Sequence, residues 1–285
     1  PPAAKLGRLP PLPPLATLVD QIEQEGHGLV MVLGKGGVGK TTVAGLIICR
    51  LIRRGMSPVL AVDADPNSCL DAALGVTVTK TVGGLREEAR ELASQGMAAG
   101  VSKQEMLELK IAESLVEAAD FDLIAMGRPE GPGCYCYANA VLKSALSQIA
   151  GAYPYTVLDN EAGLENLSRR LVQHVDVMVM VADPSRRGLE TLRRLHALTA
   201  EMGIGYEQLV LVINRLREDR LPETAANLRE ATGANLVIGI PHDDALADFA
   251  ESGRALLDLP DDNLSAGRID QLIDDLVDRA TGMED

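Results

Sequence analysis

The run Gly34-Lys35-Gly36-Gly37-Val38-Gly39-Lys40-Thr41-Thr42 sets glycines, two lysines and two hydroxyls in the order G-x-x-x-x-G-K-[ST]. Glycines without Cβ atoms let backbone N–H groups approach and cradle phosphate oxygens, and a helix N-terminus adds positive potential at the same place. In such a loop Lys40 reaches the β- and γ-phosphates and the Thr41 hydroxyl serves Mg²⁺. Three carboxylates lie at the ends of apolar runs, Asp63 and Asp65 in Asp63-Ala64-Asp65-Pro66-Asn67 and Asp159 in YTVLD. Carboxylates at strand C-termini stand beside a phosphate crevice, and Asp159 is placed to hold Mg²⁺ through water. Asp63 or Asp65 could instead cap a helix beginning near Asn67. Cys134 and Cys136, in a Gly/Pro-rich stretch, offer two thiolates, half of a tetrahedral sulfur site. The alternative for that pair is an inert Cys-Tyr-Cys turn.

Those residues need elements to position them. Strands are expected at 28–33, 58–62, 121–126, 155–159, 175–181, 208–213 and 235–239, each a short continuous apolar run. Helical patterns occupy 15–25, 41–54, 102–118, 138–150, 186–201, 222–232 and 267–279. Strands alternating with helices imply an α/β fold with a doubly wound, mainly parallel sheet flanked by helices. Residues 1–14 contain six prolines and read as an extended linker or remnant, and 15–285 as a single domain. The chain begins without Met, as a trimmed piece would. In the last helix Ile269, Leu272, Ile273, Leu276 and Val277 share one face and Asp270, Asp274, Asp275 and Asp278 the other, the pattern of packing against a core.

Composition narrows the partners. Lys plus Arg is 27 and Asp plus Glu is 41, a formal net charge of −14. That balance speaks against nucleic acid and against anionic membrane surfaces. No apolar stretch reaches the roughly 18–20 residues of a membrane span, and no secretory signal is evident. Four cysteines in 285 residues do not form a disulfide scaffold, and a bridge between Cys134 and Cys136 would be strained. A reduced, cytoplasmic setting follows. Cys49 in VAGLIICRLI reads as core, Cys69 as packing with a redox role left open, and the four histidines have no ligand spacing to the cysteines.

The second lysine of GKGGVGKTT, Lys35, resembles the deviant Walker A ATPases: nitrogenase iron proteins, septum-site and partition ATPases, and arsenite-pump ATPases. That resemblance implies a homodimer sandwiching ATP, with Lys35 reaching the partner's nucleotide. It also implies that Asp65 orients the attacking water, making Lys35, Lys40 and Asp65 the catalytic set, and that Asp63 stands on the magnesium side with Thr41 and Asp159. Asn160-Glu161-Ala162-Gly163 resembles the second switch, where the Gly163 amide senses the γ-phosphate. Asn214-Arg215 resembles the adenine reader and Pro241 the loop packing on the base; read alone, Asn214 is a turn residue.

RPEGPGCYC (128–136), DADPNSCL and LDNEAGLENLSR together resemble the nickel-insertion accessory ATPases of carbon monoxide dehydrogenase over about residues 29–245. The resemblance implies an ATP-hydrolysing metallochaperone whose client is apo carbon monoxide dehydrogenase or a related nickel enzyme such as acetyl-CoA synthase. A twofold axis would supply Cys134 and Cys136 twice, giving a shared four-thiolate site for Ni²⁺ or Zn²⁺. Two other readings stand beside it. One is an iron–sulfur reductase of the nitrogenase iron protein type, which needs two well-separated cysteines per subunit. The other is a plain nucleotide switch of the septum-site, partition or arsenite-pump kind. LATLVDQIEQEGHGLVMVLGKGGVGKTT also resembles the entry to the second half of arsenite-pump ATPases.

Overall fold

A computed structural model describes residues 28–67, 69–84, 111–128, 142–144, 146–161 and 171–281. Among them eight strands form one sheet: β1 (Gly28–Gly34), β2 (Val59–Asp63), β3 (Leu115–Glu117), β4 (Phe121–Ala125), β5 (Tyr155–Asp159), β6 (His174–Ala182), β7 (Gly205–Leu216) and β8 (Leu236–Pro241). Their spatial order is β3-β4-β2-β5-β1-β6-β7-β8, and every pairing is parallel except β3 with β4.

Parallel strands must be covered on both faces, and the sequence supplies apolar residues to both. Along β1, Met31 and Leu33 enter one core while Val30 and Val32 enter the other. Helices α3 (Arg186–Glu201) and α4 (Glu223–Thr232) cover the first face. Helices α1 (Lys40–Arg53), α2 (Leu70–Leu74), α5 (Asp244–Ser252) and α6 (Leu264–Thr281) contribute to the second. Each fully buried Leu or Ile contributes about 1.5–3 kcal/mol, so the two layers fix strand register firmly. That register matters at the C-terminal ends, where Val32 and Asp63 both pair with Asp159.

Arginines at the end of α1 tie it to the acidic face of α6. Arg50 reaches Asp270 at 2.6 Å and Asp261 at 2.9 Å, and Arg54 reaches Asp270 at 3.0 Å and Asp274 at 2.6 Å. The network explains why α6 is acidic there. On its other face Ile269, Leu272 and Ile273 are buried, whereas Val277 is 40% exposed and leaves the expected stripe.

Two expectations need correction. The helix expected over 102–118 ends by Ser114 within the described residues, and Leu115–Glu117 forms the antiparallel edge strand β3. The cause is a tight turn: Ala118 N–H donates to Phe121 O at 3.0 Å, folding Leu115 and Val116 back onto Ile124 and Leu123. Cross-strand pairing there overrides the helical spacing of Ile111 and Leu115. The sequence reading also contains no helix between Pro241 and residue 267, yet α5 stands there. Its start is capped by Asp243, whose carboxylate accepts the Leu246 N–H at 3.0 Å. The helix expected at 15–25 lies outside the described residues, as does part of the one at 138–150.

Candidate functional site

The loop from Gly34 to Gly39 joins β1 to α1. Close packing sets its path: a Cβ on Gly34 would lie 2.5 Å from Val181 O, and one on Gly39 would lie 2.4 Å from Asn214 Nδ2. Gly37 and Gly39 have φ of 79° and 93°, a region that favours glycine. Gly39 precedes α1 in this left-handed conformation, no side chain caps the helix, and no acidic residue occupies its first turn. A helix start without a side-chain cap presents backbone N–H groups to an anion.

Lys40 is buried, and its Nζ donates to Lys35 O at 3.4 Å across the loop. Lys35, Gly36 and Gly37 are exposed. Burial works against the charge of Asp183, but the Ser185 hydroxyl and N–H, with the Lys35 charge, hold it below the usual carboxylate range.

Asp159 is 1% exposed, and its Oδ1 has no hydrogen-bond partner. Burial pushes its carboxyl up to about 7; the Thr41 hydroxyl and Lys40 oppose the rise, while Asp63 and Asp65 add to it. A buried carboxylate with a spare oxygen, a hydroxyl beside it and other carboxylates nearby is a donor set that a hard divalent cation relieves. These residues fit Mg²⁺, which Thr41 and Asp159 would hold. Among the described residues no group of three or more His, Cys, Asp or Glu side chains could hold a metal by itself.

Asp63 has a heavy structural task. Its Oδ1 accepts Asp65 N–H at 3.0 Å, and its Oδ2 accepts Cys69 N–H at 2.9 Å and Leu70 N–H at 3.0 Å. The carboxylate therefore organises the loop and caps α2, the alternative left open by sequence. Burial raises it to about 6 despite those bonds. Asp65 is less buried, and its Oδ1 accepts the Asn67 N–H at 2.8 Å and side-chain amide at 3.2 Å.

Asn214 is 7% exposed at the end of β7. Its Nδ2 donates to Val38 O at 2.8 Å, and its Oδ1 accepts Arg215 N–H at 2.9 Å. Arg215 adopts φ 61°, unusual for a residue with a Cβ, where the β7–β8 register shifts, and its guanidinium donates to Gly37 O at 3.0 Å. Together they clamp Gly37, Val38 and Gly39, a role that sequence reasoning did not identify. A cavity of about 780 Å³ opens beside Arg215, lined also by Asp183, Ser185, Arg217 and Pro222. Pro241 ends β8 paired with Leu216, one strand further out.

The structure thus brings together Gly34–Thr42, Asp63, Asp65, Asp159, Asn214 and Arg215. Gly163, Cys134 and Cys136 lie outside the described residues. Asn160, next in sequence to Asp159, is buried and its Nδ2 has no hydrogen-bond partner. Cys69 is exposed, and partial desolvation with the charges of Asp63, Asp65 and Asp71 raises its thiol. Cys49 is pushed up to about 12 by burial.

Fold and site together define a nucleotide-binding α/β protein with a phosphate loop. The chain belongs to the CobQ/CobB/MinD/ParA nucleotide-binding domain family, matching it over residues 29–257. It is 39% identical over 252 residues to an uncharacterized ATP-binding protein of Methanocaldococcus jannaschii, covering 88% of this chain and 99% of that one. It is 30% identical over 242 residues to the carbon monoxide dehydrogenase accessory protein CooC of Rhodospirillum rubrum, covering 81% and 89%. Among solved structures, the septum site-determining protein MinD of Pyrococcus horikoshii, complexed with Mg-ADP, superposes with a TM-score of 0.65 at 19% identity, covering 90% and 98%. That likeness establishes the doubly wound fold. No described helix is long and apolar enough to cross a membrane.

Proposed function

We propose that the chain is an ATP-hydrolysing metallochaperone that dimerises with nucleotide and metal. Its client is apo carbon monoxide dehydrogenase or a related nickel enzyme. The observation that carries this reading is that one chain has both the buried Asp159 carboxylate with a spare oxygen, next to Thr41 of the phosphate loop, and the Cys134-Tyr135-Cys136 run. The 30% identity to an accessory protein of carbon monoxide dehydrogenase supports the choice of client.

Hydrolysis here is positioning and electrostatics. The clamped loop offers its N–H groups to the phosphates, and Lys40 leaves Lys35 O for the β- and γ-oxygens. Thr41 and Asp159, with Asp63 on the same side, would hold Mg²⁺, which would supply charge stabilisation at those oxygens. Asp65 orients the water and accepts its proton. Lys35, exposed at the loop tip, serves the nucleotide of a second copy. Gly163 senses the γ-phosphate, and Pro241 borders the base. Cys134 and Cys136 from two protomers hold one Ni²⁺ or Zn²⁺, which hydrolysis releases to the client.

The test is reconstitution. Apo carbon monoxide dehydrogenase is incubated with Ni²⁺, MgATP and this protein, and bound nickel is counted after desalting. The wild type should raise incorporation and the Lys40→Ala variant should not. Equal incorporation with both would remove the client from the proposal.

A further inference from the structure

Arg128 stands three residues beyond β4, and its guanidinium forks onto one acceptor on the neighbouring loop. Its Nε and an Nη donate to Asn67 Oδ1 at 3.1 and 2.5 Å. Asn67 passes the contact on, donating its N–H and its side-chain amide to Asp65 Oδ1 at 2.8 and 3.2 Å. An amide whose oxygen is bonded by a cation becomes a better donor at its nitrogen, so the links reinforce one another.

The base of this chain of contacts is anchored. Met126 N–H donates to Asp63 O at 2.8 Å, and Gly83 N–H donates to Met126 O at 2.8 Å. Gly127 has φ 62°, and a Cβ there would lie 2.4 Å from Thr81. The backbone leading to Arg128 is therefore fixed against the end of β2, where Asp63 and Asp65 sit. An exposed arginine held only by solvent would show no such two-point fork.

We propose that Arg128 is a positioning residue for Asp65, acting through Asn67. The proposal rests on the reading of Asp65 as the carboxylate that orients the attacking water.

The test uses the full chain and steady-state ATP hydrolysis. Arg128→Ala should lower kcat roughly tenfold, the weight of one charge-assisted contact. KM for ATP and the melting temperature should stay near wild type. Arg128→Lys, with one ammonium in place of a fork, should fall between. Asp65→Asn should lose more, and the double variant should be no slower than Asp65→Asn alone. An unchanged kcat in Arg128→Ala overturns the proposal, as does a loss confined to KM or to stability. If Asp65→Asn itself leaves kcat unchanged, the reading of Asp65 fails and the proposal with it.

Discussion

Replacing Asp159 by Asn should stabilise the nucleotide-free protein at neutral and higher pH while destroying its response to Mg-nucleotide. Burial raises the Asp159 carboxyl from 3.8 to about 7. Three pH units at 1.36 kcal/mol each correspond to about 4 kcal/mol for ionising it in the fold. A buried Asn amide hydrogen without a partner costs about 1–2 kcal/mol, leaving a net gain of about 2–3 kcal/mol. The sign follows from linkage. Below 3.8 the group is protonated in both states and its favourable contribution is fully present. As pH rises the unfolded chain ionises first, so stability falls until the folded carboxyl also ionises near 7, and is flat above. Urea denaturation in EDTA at pH 4.5 and pH 8 measures the difference. The variant should gain on the parent by about 3 kcal/mol between those pH values. Adding MgADP should reverse the order by stabilising only the parent. A gap that does not change with pH, or a variant less stable than the parent at pH 8 without nucleotide, would refute the reasoning.

Lys40→Ala should abolish nucleotide binding measured by calorimetry. Lys35→Ala should bind nucleotide normally and lose turnover that depends on protein concentration; unchanged turnover would sink the cross-subunit role. Asn214→Ala should weaken ATP and GTP alike, about tenfold, if its weight lies in holding the loop at Val38; a loss confined to ATP would show that it reads the adenine. Serine at Cys134 and Cys136 should remove bound Ni²⁺ or Zn²⁺ without changing nucleotide affinity, and metal retained in full would point to other ligands.

Local pattern carried much of the architecture. Runs such as Val59–Val62 could serve only as strands covered on both faces, and glycines before Lys40 could serve only a loop that approaches phosphate. Asp159 was legible because it ends such a run. What escaped the sequence depended on partners far along the chain. Asn214 spends its amide on Val38, 176 residues away, a bond that no local spacing encodes. Asp63 and Asp65 look alike in sequence, yet three backbone N–H groups claim Asp63 and leave Asp65 nearer the surface. Leu115 and Val116 carry helical spacing and strand-forming side chains together, and the turn at Ala118–Phe121 decided between them. The same dependence hid the Arg128–Asn67 fork, which joins residues 61 positions apart.

The central claim is that one chain couples a nucleotide site to a metal site shared between two copies. Its most direct test is metal content and oligomeric state together, on anaerobically purified reduced protein with added Ni²⁺ or Zn²⁺, with and without MgATP. The account predicts about one metal per dimer, lost when Cys134 and Cys136 are replaced by serine. Dimers that form with ATP alone and carry no metal would contradict it and leave a nucleotide switch, while four irons with sulfide per dimer would make the protein a reductase.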